Sequence, residues 1–246
     1  MRVTEILLSD GRQLRYYDSD DAPPRDTAAD QRGLTPVSMQ SGLRHDPLLD
    51  QWVMIAGHRQ DRTYKPAAQD CQIYGYPFIT PRTARMLSSV AEYRCRTGRN
   101  LFDDRLADEL DEGSRVVLRT QAWTAFVPHA ARWPYEVHAY PNQRVPDLAA
   151  LAGPALAELP GVYLDLLGRF RRLFDRPAPY IAAWHQAPVT DRTDFALHLE
   201  LFTVRRTSDK LKYLAGSESG MDAFANDIRP ETAAATLREL GSGDLR

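Results

Sequence analysis

Cysteine is scarce in this chain of 246 residues: Cys71 and Cys95 are the only two, far apart and in no CxxC spacing. A disulfide framework and a cysteine-built zinc knuckle are therefore both excluded. Excess charge of one sign is missing too, since the formal net charge is -2, which leaves no broad basic field for nucleic acid and points to a small-molecule partner. No apolar run approaches the roughly 18 to 20 residues that cross a bilayer, and the opening MRVTEILLSDGR lacks the apolar core and cleavage site of an export signal. These absences lead us to expect a cytoplasmic protein with no membrane or nucleic-acid partner. The chain also has no Gly-rich P-loop, no GxGxxG after a strand, no GxSxG elbow and no HExxH, which removes several large enzyme classes.

What is present reads as alternating strands and helices. Val3 to Leu8 and Gln13 to Tyr17 flank Asp10-Gly11, a dipeptide suited to the tight turn of a hairpin. Residues 18–33 (DSDDAPPRDTAADQRG) carry almost no large apolar side chain and read as a flexible linker. Trp52 to Ala56 and Gln72 to Ile79 read as strands. Thr80-Pro81 has the form of a helix N-cap followed by proline in the first turn, predicting a helix to about Arg96. Leu101 to Leu110 forms a further segment, ending near Gly113 and leading into paired strands over 115–120 and 124–127. Trp133 to Tyr140 is another strand. From Ala155 to Asp175, Leu156, Leu159, Tyr163, Leu166, Phe170, Leu173 and Phe174 mark one helical stripe, ended by Pro177 and Pro179. Tyr180 to Trp184 and Asp194 to Arg205 are the last strands expected.

Three sets of residues could carry chemistry. On the strand over Asp194 to Arg205, period-two alternation sets Ala196, His198, Glu200 and Phe202 on one face, with Phe195, Leu197, Leu199 and Leu201 on the other. His198 and Glu200 could then reach one divalent ion, with His185 on a neighbouring strand as a third ligand. A His–Glu hydrogen bond on a half-solvated sheet is the structural alternative. Arg59 and Arg62 could present two guanidiniums to a phosphate, or merely face solvent at a strand exit. Lys210, Lys212, Gly216 and Glu218 read as a short helix ending in a Gly/Ser turn, either a phosphate or sugar contact or a capped surface helix. His58 has no visible orienting acid and is not promoted to a nucleophile.

Four segments in this order, LRHDPLLDQWVMIAGHRQDR, QIYGYPFITPR, WTAFVPHAARWPYEVHAYP, and WHQAP with LHLELF and KLKYLAGSE, resemble the hexose-1-phosphate uridylyltransferases, the galactose-1-phosphate uridylyltransferase family. They span about Leu43 to Leu240. The resemblance implies an α+β fold of two histidine-triad-like domains, antiparallel sheets with packed helices, in a homodimer whose active sites use both subunits. It implies uridylyl transfer between UDP-glucose and galactose-1-phosphate through a uridylyl-histidine. The family's nucleophile is the second histidine of His-Pro-His-Gly-Gln, just before the stretch that here begins Gln72-Ile73-Tyr74; this chain has Ala68-Gln69-Asp70-Cys71-Gln72 instead. No catalytic residue is thus assigned, although Gln72 is retained beside the nucleophile's position.

By the same resemblance, Arg59, Arg62 and Gln72 match phosphate-contacting residues. Lys212 and Glu218 match residues lent by the partner subunit to the phosphate and hexose. His185 and His198 match two ligands of a structural metal site for zinc or iron. Glu200 stands where many members have a third histidine, and Met86 where they have a glutamate ligand. The implied organisation is a hairpin and linker over 1–33, a truncated first domain over 34–112 and a complete second domain over 113–246. Three functional readings follow: a transferase homologue inactive for want of its histidine, a non-catalytic dimerisation or sugar-phosphate-binding remnant, and a gap that reflects an altered gene model or a split gene supplying the segment elsewhere.

Overall fold

The computed structural model describes residues 2–8, 13–18, 20–21, 23, 42–46, 51–55, 75–76, 78–174, 178–189 and 192–241. The chain divides into two compact units, Met1–Gly75 and Tyr76–Arg246. Among its described residues the first contains two antiparallel pairs, β1 (Arg2–Leu7) with β2 (Gln13–Asp18) and β3 (Gly42–Asp46) with β4 (Gln51–Ile55). The expected hairpin is present in β1 and β2, whose register sets Glu5 opposite Arg15 as an ion pair at 2.8 Å. The Asp10-Gly11 turn and most of the 18–33 linker lie outside the described residues. Of the strand expected over 72–79, Gly75, Tyr76, Phe78 and Ile79 are described, and none of them is in a strand.

The second unit is an α+β layer structure around one five-stranded antiparallel sheet, in the order β5 (Val116–Arg119), β6 (Trp123–Phe126), β7 (Tyr135–Pro141), β9 (His198–Thr203), β8 (Ile181–His185). Two helices precede it. The first, α1 (Pro81–Thr97), begins as its sequence dictates, with the Thr80 hydroxyl accepting from the Thr83 amide and Pro81 in the first turn, and it stops at Gly98 in the left-handed region, φ 72°. The second, α2 (Leu101–Glu112), is capped by Asn100, whose side chain accepts from the Phe102 amide at 2.9 Å, and ends at Gly113 with φ 69°. Both glycines occupy a conformation that other residues enter only with strain. These helices, grouped with residues 34–112 in the sequence reading, pack within the same unit as the sheet.

One face of the sheet is dry. Val137, Leu199 and Leu201 meet Val162, Leu166 and Phe170 of α3 (Gly153–Arg172) and Ala233, Ala234 and Leu237 of α5 (Pro230–Glu239) in a single buried cluster. The stripe expected on α3 is largely inward, with two changes: Leu156 is exposed and Val162 takes an inner place. The helix also buries a charge pair, Asp165 with Arg169 at 2.5 Å, and the Arg169 guanidinium donates onward to the Leu237 carbonyl at the end of α5. A guanidinium satisfied by a carboxylate and a helix-terminal carbonyl can sit in an interior that would otherwise expel it.

The opposite face lies under α1 and α2, where Val90 and Phe102 pack with Phe195 and Ala196. The strand expected from Asp194 begins only at His198, because the Leu197 amide donates to the Val145 carbonyl of the loop after β7 instead. Continuing the β7–β9 register from Ala139 opposite Leu199 would set Leu197 against Pro141, which has no N–H to give to a ladder. Phe195 consequently leaves the face of Leu199 and Leu201 and packs with Phe102, ring centroids 5.2 Å apart.

Candidate metal and ligand site

The chemistry lies on that second face. Strand β9 carries His198 and Glu200 two residues apart, both 1% exposed. Pairing with β8 sets His185 directly opposite His198, and pairing with β7 sets His138 opposite Glu200. His185, His198 and Glu200 each offer a ligand atom, and these atoms all lie within 4.8 Å of one another. The three residues named from the sequence are thus brought together. A second group, Glu136, His138 and Glu200, meets the same condition and shares the carboxylate.

His198 is prepared as a neutral ligand. His198 Nδ1 faces the Ala196 carbonyl at 2.8 Å, which makes Nδ1 the protonated nitrogen and leaves the Nε2 lone pair free, as in metal-binding histidines oriented by a backbone acceptor. Its ring is stacked against Tyr140 at 4.8 Å and against His185 at 4.7 Å between centroids. That burial pushes its pKa down to about 4, against the opposing pull of Glu200. Nε2 of His185 and Nε2 of His198 are buried with no hydrogen-bond partner. Two buried ring nitrogens that stand 3.4 and 3.8 Å from one carboxylate without a hydrogen bond are costly unless something else meets them. A divalent ion meets that need, so these residues fit a His–His–carboxylate site.

Glu200 is ionised. Burial disfavours its charge, but the imidazoles of His185 and His198 and the nearby His138 outweigh that and hold the carboxyl well below the usual carboxylate range. Arg82, in the first turn of α1, also contacts it: one guanidinium nitrogen stands 2.7 Å from one carboxylate oxygen and 2.5 Å from the other. Arg82, Glu136 and His138 are the site residues that the sequence reading missed. The signal for the last two was available, since Glu136 and His138 are spaced two apart on a strand just as His198 and Glu200 are. Glu136 is anchored, accepting from the Arg132 and Trp133 amides and lying 2.9 Å from His138 Nε2. Nothing local marks Arg82, which is 118 residues from its partner. Met86 packs among the apolar residues beneath the helices.

Lys212 and Glu218 also come together, at 3.5 Å, yet neither faces solvent freely: they are 4% and 9% exposed. The Lys212 ammonium donates to the carbonyls of Arg132 and Ala225, and Glu218 accepts from the Ala215 amide at 2.9 Å. The lysines are not on a helix as expected. Leu211 bridges Arg205 and the Lys212 amide donates to the Val204 carbonyl, so α4 (Gly216–Met221) starts only after this excursion. Arg59, Arg62, Gln72 and His58 lie outside the described residues.

The family described as galactose-1-phosphate uridyl transferase, C-terminal domain, matches residues 86–244. The chain belongs to the galactose-1-phosphate uridylyltransferase family. The enzyme of that name from Streptomyces lividans is 34% identical over 350 aligned positions, covering 98% of each chain. Because this chain has only 246 residues, the Streptomyces relative contains residues for which there is no counterpart here. The Thermotoga maritima uridylyltransferase is 33% identical over 171 residues, 68% of this chain and 53% of its own, so the chain spans about half of that relative. A solved uridylyltransferase structure superposes with a TM-score of 0.64 at 32% identity, over 69% of this chain and 54% of the other. The family's α+β fold is therefore present in the second unit.

Proposed function

We propose that this chain is a homologue of the enzymes exchanging uridylyl between UDP-glucose and galactose-1-phosphate that has lost the nucleophile and transfers no uridylyl group. On this reading residues 113–246 form a complete uridylyltransferase-like domain of histidine-triad type, residues 34–112 a truncated one, and the protein works in the cytoplasm on UDP-hexose and hexose-1-phosphate. The observation that carries it is the absence of His-Pro-His from a chain whose six histidines are His45, His58, His129, His138, His185 and His198. Three of these, His138, His185 and His198, are committed to the buried cluster around Glu200. The exchange needs an exposed neutral imidazole to attack the α-phosphorus, hold the nucleotidyl group, and release it to the second sugar phosphate. Asp70, near the vacated position, would form a mixed anhydride that requires its own shielding pocket.

The roles left to this chain's residues are binding and architecture. Arg59, Arg62 and Gln72 are proposed to hold phosphoryl oxygens. His185, His198 and Glu200 are proposed to hold zinc or iron, which when bound ties β8 to β9 beneath α1. Incubating the full chain with UDP-glucose, then measuring intact mass and sugar-phosphate exchange, is the test. No UMP adduct and no exchange are expected, and a uridylylated side chain would overturn the reading.

The non-catalytic alternative draws on one feature: Tyr213, Leu214 and Met221, beside the Lys212–Glu218 pair, are 77%, 44% and 79% exposed. Such apolar side chains suit a contact with a second subunit, through which Lys212 and Glu218 would be lent. Sedimentation of the chain tests this contact, with a dimer expected and a monomer counting against it.

A further inference from the structure

The cluster holds one cation of its own. Both oxygens of Glu200, the sole carboxylate in the His185–His198–Glu200 set, are engaged by a single nitrogen of Arg82 at 2.7 and 2.5 Å. The imidazoles hold it less closely: His185 Nε2 and His198 Nε2 stand 3.4 and 3.8 Å from Glu200 oxygens without completing a hydrogen bond, and His138 Nε2 sits closer to Glu136, at 2.9 Å, than to Glu200, at 3.7 Å. A carboxylate this buried needs a positive partner, and either a guanidinium or a divalent ion satisfies it. Both together would set two positive groups against one carboxylate at contact distance in a poorly screened interior. Arg82 has somewhere else to go, because its side chain is 35% exposed, unlike that of Glu200 at 1%.

We propose that Arg82 is a built-in rival of the divalent ion at Glu200, so that the ion binds only as the guanidinium swings out to solvent. Zinc affinity in this chain is accordingly set by the Arg82–Glu200 pair as well as by the ligands. The proposal rests on the assignment of His185, His198 and Glu200 as ligands, and the experiment separates the two ideas.

Zinc alone is the probe, titrated against a chromogenic chelator with the full chain, Arg82→Met and His198→Gln, and bound metal is counted by mass spectrometry. Arg82→Met is expected to bind zinc about 10–100-fold more tightly than the unaltered chain, the scale on which groups around a metal site tune affinity. His198→Gln is expected to lose the site. Equal or weaker binding by Arg82→Met overturns the rivalry while leaving the ligands standing, and zinc binding by neither protein, or unimpaired binding by His198→Gln, overturns both. Should Arg82→Met not fold, the unaltered chain suffices: its Arg82 guanidinium Nη–H signals in the NMR spectrum should be protected from exchange without zinc and lose that protection on adding it. A guanidinium signal unmoved by saturating zinc overturns the proposal.

Discussion

The two faces of the five-stranded sheet are written in the same strands and obey opposite logic. Along β7, Val137 and Ala139 turn to the dry side while Glu136, His138 and Tyr140 turn to the other; along β9, Leu199 and Leu201 oppose His198 and Glu200. Every residue of β9 is buried, so the difference is not exposure but what meets each side chain. On the dry face, apolar area removed from water stabilises the fold without regard to orientation. On the polar face, each group must find a partner in a defined direction, and two of them, the Nε2 atoms of His185 and His198, have none. Stability is concentrated on one side of the sheet and chemical specificity on the other.

That contrast can be broken in order of expected effect. Phe170→Ala empties the centre of the dry cluster, where Phe170 is 2% exposed, and should cost about 3–5 kcal/mol in urea unfolding. Glu200→Gln, on the polar face, should cost less, about 1–3 kcal/mol, the scale for removing one partner of a buried hydrogen bond. Half-buried Arg82 can turn to water, and the same variant should abolish zinc binding. A polar-face loss equal to that of Phe170→Ala would erase the distinction. Leu156→Ala lies on the same helix as Phe170 but on its exposed side, and should change stability by less than about 0.5 kcal/mol. A larger effect would mean that the outer face of α3 is covered.

Much of this was legible in the order of residues. Thr80-Pro81 marked the start of α1 and Gly113 the end of α2 through local hydrogen bonding and φ angles, and period-two text placed His198 and Glu200 on one face of β9. The His185–His198–Glu200 set was readable because two of its members share a strand face and the third ends a neighbouring strand. What was not readable depends on distant pairing. The late start of β9 follows from Pro141 in another strand. The place of Lys212 follows from carbonyls of Arg132 and Ala225 far from it in the chain. Arg82 reaches Glu200 only because α1 folds over the sheet, a fact that no local pattern contains.

All members of the polar cluster, from Arg82 to Glu200, are contributed after Tyr76, inside one compact unit. The proposed metal ligands are accordingly all drawn from one unit, whereas Ala68 to Gln72, which match the family's nucleophile segment, belong to the other. A lineage can lose the reaction and still inherit the metal ligands as scaffolding, so their persistence in a family member is no testimony that the member turns over sugar nucleotides.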